Sequence, residues 1–236
     1  MRITRHLLAA FGLAAAVLLP GLAIAQSDPE SRSFPDTGHT ITDDAIWAFF
    51  NDHGGAATFG APISREMSLF DAQVQVFENA ALQVAGDGSV SVLPLAGVGF
   101  LPYSAFDGLT VPAADPAVAF VTPNPDQANY PARLTAFLNA TVSPRVAGVY
   151  SSDVWGMLTS TLKPDPHNPN FVYQRFENGI LMADLSTGSA GPLALGSYFK
   201  AVLTGQNLPA DLASEAAASP FYKHFASDEA FTPDLG

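Results

Sequence analysis

The chain has 236 residues, 48% hydrophobic and 14% charged, with no cysteine and a formal charge of −12. That balance excludes nucleic acid and anionic lipid as expected partners, because polyanions need counter-charge. Without thiols there are no disulfides and no thiolate metal site, so stability must come from packing, and 17 Phe, six Tyr and two Trp supply material for a core.

The first 25 residues read as a signal peptide. Arg2 and Arg5 precede the uncharged apolar run Leu7–Leu19, Pro20-Gly21 breaks it, and Ala23-Ile24-Ala25 puts small residues at −3 and −1 before Gln26. A run this short falls below the ~20 residues of a spanning helix, and no cysteine near the cut offers a lipid attachment point. The sequence thus predicts an extracytoplasmic protein, cleaved after Ala25, with no membrane insertion afterwards. Removing Arg2 and Arg5 leaves the remainder more acidic still.

Residues 26–33 are polar and read as a flexible leader. A first unit spans 34–99, opening with the turn-rich Phe34-Pro-Asp-Thr-Gly-His39. Thr42 stands where an N-cap would, Asp43 and Asp44 suit a first turn, and Ile46, Phe49 and Phe50 share one helical face. Gly54-Gly55 ends that helix. Strands are expected at Gln73–Phe77, Leu82–Ala85 and Ser89–Leu93, the last two joined by the turn Gly86-Asp87-Gly88. Residues 100–130, rich in proline, read as a linker or as an ordered surface arm. Pro131 suits the start of a helix carrying Leu134, Phe137 and Leu138 on one side. The second unit with its C-terminal helices spans 131–225. A helix from Tyr198 to Thr204 is capped by Ser197 and closed by Gly205, and another begins near Asn207-Leu-Pro209. Residues 226–236 read as a loose tail.

Internal similarity organises this order. Phe59-Gly60-Ala61-Pro62-Ile63-Ser64 parallels Trp155-Gly156-Met157-Leu158-Thr159-Ser160. Further on, Phe77-Glu78-Asn79-Ala80-Ala81-Leu82 parallels Phe176-Glu177-Asn178-Gly179-Ile180-Leu181. The extra residues of the second copy fall in Lys163–Asn170, where a loop insertion costs little. Because Ala80 replaces Gly179, φ at this position should be negative, which favours a strand bulge over a type I′ turn. The predicted fold class is α+β: two related units, each a short helix with a small antiparallel sheet, plus C-terminal helices.

The motifs Phe-Pro-x-Thr-Gly-His, Gly-Gly, Phe-Gly-x-Pro-Ile-Ser and Val-Gln-x-Phe-Glu resemble an uncharacterised family of exported bacterial proteins. In that family the hairpin usually reads nearer to Val-Gln-Tyr-Phe-Glu-Arg, where this chain has Val74-Gln-Val-Phe-Glu-Asn79. The second unit resembles it through Tyr173-Gln-Arg-Phe-Glu-Asn-Gly179, Leu195-Gly-Ser-Tyr-Phe-Lys-Ala-Val-Leu-Thr-Gly205 and Ser219-Pro-Phe-Tyr222. The likeness covers about 34–99 and 150–225 and implies no activity. Gly-x-Pro-Ile-Ser before a Phe-x-x-Gly strand is also similar to LGFP repeats, which implies contact with the cell envelope or its glycans by analogy alone.

The chain carries no Gly-x-Ser-x-Gly, no His-Glu-x-x-His and no Walker loop, so no catalytic motif, cofactor or metal is expected. Glu78 and Glu177 recur at equivalent places. Either they converge on one cleft as a catalytic pair for glycoside hydrolysis, or each satisfies backbone donors in its own turn. Ser64 and Ser160 recur too, and each is expected to cap the segment after it. His39 is a candidate binding residue or a local cap, and His53 suits the end of the first helix. Tyr173 and Arg175, on one strand face, are candidates for a sugar-stacking patch. The expected function is an exported, non-catalytic binding protein contacting envelope polysaccharide or another surface protein. The alternatives are a glycan hydrolase using Glu78 and Glu177, and a structural component of the envelope.

Overall fold

A narrow hairpin starts the first unit: β1 (Ser33–Phe34) pairs antiparallel with β2 (His39–Thr40), with Gly38 at φ 73° closing the turn. The computed structural model describes residues 32–69, 71–97, 105–106, 109–110, 113–121, 123, 125–126, 128–208, 210, 213–225 and 229–234. The expected signal peptide and most of the leader lie outside the described residues. Helix α1 (Asp44–Asp52) is capped by Asp43, whose side chain accepts from the Ala45 and Ile46 N–H groups. The expected cap, Thr42, instead donates to Glu66 at 2.5 Å, because one residue further on a carboxylate already meets two helical N–H groups. His53 closes the helix, with Nδ1 2.8 Å from the Phe49 carbonyl and its ring stacked on Phe49. Helix α2 (Ala56–Phe59) leads through Gly60, at φ 74°, into the meander β3 (Met67–Leu69), β4 (Ala72–Val76), β5 (Ala81–Val84) and β6 (Val90–Val92).

Within the stretch expected as a linker or arm, β7 (Ala105–Phe106) pairs with β8 (Leu109–Thr110). Helix α3 (Pro116–Val121) then forms, with a local cause. Asp115 accepts from the Ala117 N–H at 2.9 Å, proline occupies the first helical position, and Val118 is buried. Helix α4 (Tyr130–Thr141) and the short α5 (Ser152–Trp155) precede the second meander, β9 (Lys163–Pro164), β10 (Phe171–Arg175), β11 (Ile180–Asp184) and β12 (Ala190–Pro192). Helix α6 (Leu195–Thr204) starts earlier than expected, which puts Ala194 at the N-cap with no side-chain cap and places Ser197 inside the first turn, its Oγ donating to the Glu78 carbonyl at 3.2 Å. Gly205, left-handed at φ 68°, ends it. Helix α7 (Ala213–Ala217) begins later than the sequence implied.

The two units share a hydrogen-bond plan. Gly60 and Gly156 both have positive φ, and Pro62–Phe77 and Leu158–Phe176 form matching isolated bridges. Ser64 Oγ accepts from the Val76 N–H at 2.8 Å, and Ser160 Oγ from the Arg175 N–H at 2.9 Å. The two serines therefore replace a strand partner and cap no helix. Gln75 donates to the Thr40 and Ser64 carbonyls, as Gln174 does to those of Thr141 and Ser160. The Phe77 N–H reaches the Ala80 carbonyl at 2.8 Å, and the Phe176 N–H that of Gly179 at 2.8 Å.

Strand alternation feeds two cores, each built from both units. On one face Val74, Val76, Ala81, Tyr173 and Ile180 pack with Leu195, Phe199 and Val202 of α6. On the other, Phe77, Leu82, Phe176 and Leu181 pack with Ile46 and Phe50 of α1, Phe59 of α2 and Trp155 of α5. Both faces being covered explains why β4 and β10 are buried along most of their length. Each fully buried aliphatic or Phe side chain contributes about 1.5–3 kcal/mol.

The segments leaving β6 and β12 tie the units together. Leu93 and Leu193 donate to the Ala81 and Ile180 carbonyls at 2.8 and 2.9 Å, and Leu95 and Leu195 then fold back onto Leu93 and Leu193. From there each segment reaches the other unit's turn. The Ser197 N–H donates to the Glu78 carbonyl at 2.9 Å, and Gly196 lies so close that a Cβ there would come 1.8 Å from the Phe77 carbonyl oxygen. In return, Arg175 reaches the Ala96 carbonyl through Nε at 2.9 Å and a terminal nitrogen at 2.6 Å.

The one position where glycine and alanine alternate between copies has a packing reason. Gly179 has no positive φ, but a Cβ on it would stand 2.6 Å from the Trp155 ring. The first unit carries the smaller Phe59 and tolerates Ala80. Gly179→Ala should therefore cost about 1–3 kcal/mol by overpacking. In a Trp155→Phe background it should cost much less. Urea unfolding of the four species measures the coupling, and additive costs would break the explanation.

Candidate functional site

The recurring carboxylates hold their own turns. Glu78 Oε2 accepts from the Ala61 N–H at 3.0 Å and Glu177 Oε2 from the Met157 N–H at 3.0 Å. The backbone closes each turn a second time, Glu78 N–H to the Ala61 carbonyl and Glu177 N–H to that of Met157. The neighbouring asparagines donate to Thr58 and Val154 carbonyls. Gly60 and Gly156 are needed for room as well as for φ, since a Cβ on either would meet the glutamate Oε2 at 2.7 Å. The reason for the recurrence is thus local: a carboxylate satisfies a backbone donor at a left-handed bend. Tyr150 lies beside the second turn, donating to the Gly156 carbonyl at 3.0 Å, and its pKa is pushed up to about 12 by burial, with the charges of Glu177 and Asp153 adding to it.

Tyr173 and Arg175 do not form a surface patch. Tyr173 is fully buried, its hydroxyl 3.3 Å from Asp165 Oδ2, and burial raises its pKa ahead of the Asp165 charge. Arg175 is buried against Ala96. Alternation put both on one face correctly, but that face is the interior one, closed by α6 and by the segment after β6.

His39 is also buried, 2% exposed, and its Nδ1 has no hydrogen-bond partner among the described residues. Burial lowers its pKa first; Lys200 and Arg65 lower it further, against an opposing effect of Asp234. These groups come from β2, from the approach to β3, from α6 and from the chain end. The tail expected to be loose is therefore ordered over 229–234. Its Glu229–Phe231 is a 3-10 turn with Ala230 in the core.

A concave site that sequence reasoning missed lies between α3, α4 and the segment that follows α5. It is a mainly apolar groove of ≈ 330 Å³ lined by Val118, Phe137, Ala140 and Leu158, with Asp115, Thr141 and Thr161 also at its walls. Asp115 is fixed there by its N–H, which donates to the Thr159 carbonyl at 2.7 Å, and by its hold on the Ala117 N–H. Two of its residues had a sequence signal, Phe137 on the apolar face of α4 and Leu158 in the repeated motif. Ala140 and Thr141 share α4 with Phe137, and the remaining walls come from residues about 20 positions away on either side.

Among the described residues no cluster of three or more His, Asp or Glu side chains is placed to hold a metal ion. No helix among them is long and apolar enough to cross a membrane. Compared with models of known protein families, with curated proteins and with solved structures, the chain matches none.

These contacts set two expected outcomes. Glu78→Ala and Glu177→Ala should each lower stability by about 0.5–1.5 kcal/mol through the lost hydrogen bond, with Glu→Gln losing less; unchanged urea midpoints for both Ala variants would remove the structural role. For His39, the unfolded chain titrates at the ordinary 6.5 while the fold holds the group lower. The unfolded state then binds more protons between those values. The His39 contribution is complete above about pH 6.5 and declines as pH falls toward the folded pKa. His39→Gln should flatten the change in urea midpoint between about pH 7.5 and 5.5, and an unaltered slope would contradict this.

Proposed function

We propose that the protein is a non-catalytic binding protein that works outside the cytoplasm and grips an uncharged stretch of envelope polysaccharide in the groove of Phe137. The carrying observation is the groove's composition, one aromatic and several aliphatic residues with one acidic and two hydroxyl-bearing residues among its walls. A pyranose has the complementary chemistry, a C–H face for an aromatic ring and hydroxyls for oxygen acceptors. The volume falls in the range of small-ligand sites. The charge of −12 disfavours a polyanionic glycan and leaves a neutral one acceptable.

The arrangement of Glu78 and Glu177 lends the hydrolase reading no support, because each carboxylate is engaged by its own turn. A structural envelope component would favour a broad apolar surface. Among the described residues the one large hydrophobic that is exposed is Leu185, and a single exposed leucine is ordinary.

The test is retention on immobilised, neutral envelope polysaccharide by the full chain, with Phe137→Ala and Asp115→Asn alongside. Native protein should be retained, and each variant should bind at least about tenfold more weakly, as for loss of a ~1.4 kcal/mol contact. No retention of native protein, or equal retention of all three, overturns the reading.

A further inference from the structure

Residues 229–234 return to the opening turn of the first unit, where Arg65 is the hub. Its backbone N–H donates to the Ala230 carbonyl at 2.6 Å, a terminal nitrogen donates to the Pro233 carbonyl at 3.1 Å, and Nε pairs with the Asp234 carboxylate. The other carboxylate oxygen accepts from the Thr40 N–H at 3.2 Å, while the Asp234 N–H donates to the Gly38 carbonyl at 2.7 Å. Three residues earlier, Phe231 meets Phe225 edge-on at 6.3 Å, with Lys200 Nζ 5.4 Å from its ring centre. Lys200 is itself held by the Ile63 carbonyl at 3.0 Å.

The turn Phe34–His39, noted in the sequence for its motif, thereby has a structural use. Gly38 at φ 73° lets the carbonyl before His39 and the N–H after it both engage one aspartate. Together the contacts have the parts of a peptide-recognition site: an apolar and cationic seat for an aromatic, main-chain donor and acceptor, and a charge-assisted seat for an acid three residues on. The ion pair is partly open to solvent, with Arg65 and Asp234 side chains 40% and 26% exposed. It is therefore a weak tether on its own. In a chain of charge −12, Arg65 pairs with this carboxylate, and Lys200 lies against the Phe231 ring three residues earlier.

We propose that this seat receives an acidic peptide segment of a partner protein, an aromatic residue followed three positions later by aspartate, and that the chain's own tail occupies it as a competitor in cis. The seat uses none of the groove's residues, so the two bindings stand or fall separately. A tether this short gives the tail an effective concentration on the order of mM, and a partner binds once it outcompetes that.

The probe is a fluorescein-labelled peptide of residues 229–236, titrated into the full chain and into full-length Asp234→Ala and Phe231→Ala, with hydrogen exchange at the Thr40 amide read in parallel. Both variants should exchange Thr40 faster, bind the peptide at least about tenfold more tightly than the native chain, and regain protection at saturation. The same peptide carrying D234N should bind about tenfold more weakly. Thr40 exchange unchanged in both variants would show that neither side chain holds the tail and would overturn the proposal. A vacated seat that ignores the peptide, native binding as tight as the variants', or indifference to D234N would each overturn it too. Two variants that loosen opposite ends of the tail guard against one failing to fold.

Discussion

The architecture depends on a reciprocal clasp in which each unit's sheet hands its outgoing segment to the other unit's Phe-Glu-Asn turn. Its tightest point is Gly196, packed on the Phe77 carbonyl so closely that no side chain fits between them. Its counterpart is Arg175, bonded to the Ala96 carbonyl from inside the protein. A buried guanidinium is costly unless its donors are met, so this contact fixes where the first unit's exit must lie. Neither sheet could bury both faces alone. The clasp brings them close enough that α1, α2 and α5 share one core while α6 and the tail close the other.

Much of this was legible because it is local. An aromatic before a glycine, then a serine, then Phe-Glu-Asn, specifies a turn closed by partners within the same unit, so the same residues recur and can be matched by eye. The Ala80 and Gly179 difference was legible only in part. Its negative φ followed from the substitution, but its cause, the larger Trp155, needed three dimensions. Which strand face turns inward could not be read, because both do. Tyr173 and Arg175 share a face, and amphipathic reasoning assigns a face with an arginine to solvent. Here Arg175 takes the position of Val76 and reaches across to the other unit, a contact between residues far apart in sequence. The groove and the docked tail were hidden for the same reason, since neither is encoded by spacing within one segment.

Glutamates that recur in a repeat invite a catalytic reading, and geometry separates that from a structural one. A catalytic pair has to leave its oxygens toward a common substrate. Glu78 and Glu177 each commit an oxygen to the backbone N–H two residues past the aromatic that starts the turn, against a glycine that makes room for it. Repetition here arises from repeated folding requirements.

Charge then sorts the two candidate surfaces. The chain's cations are few, and several are placed in structural contacts: Arg32 on Asp44, Arg175 on Ala96, Lys200 on Ile63, Lys223 over Tyr222. The excess of acids sets up a field that discourages anionic partners everywhere except where cations are gathered. The Phe137 groove has Asp115 in its wall, a charge that opposes an anionic ligand there. At the opening turn of the first unit Arg65 is met by a carboxylate, that of Asp234. One acidic protein can in this way present two chemically distinct surfaces without either interfering with the other, because the anion that one would attract the other repels.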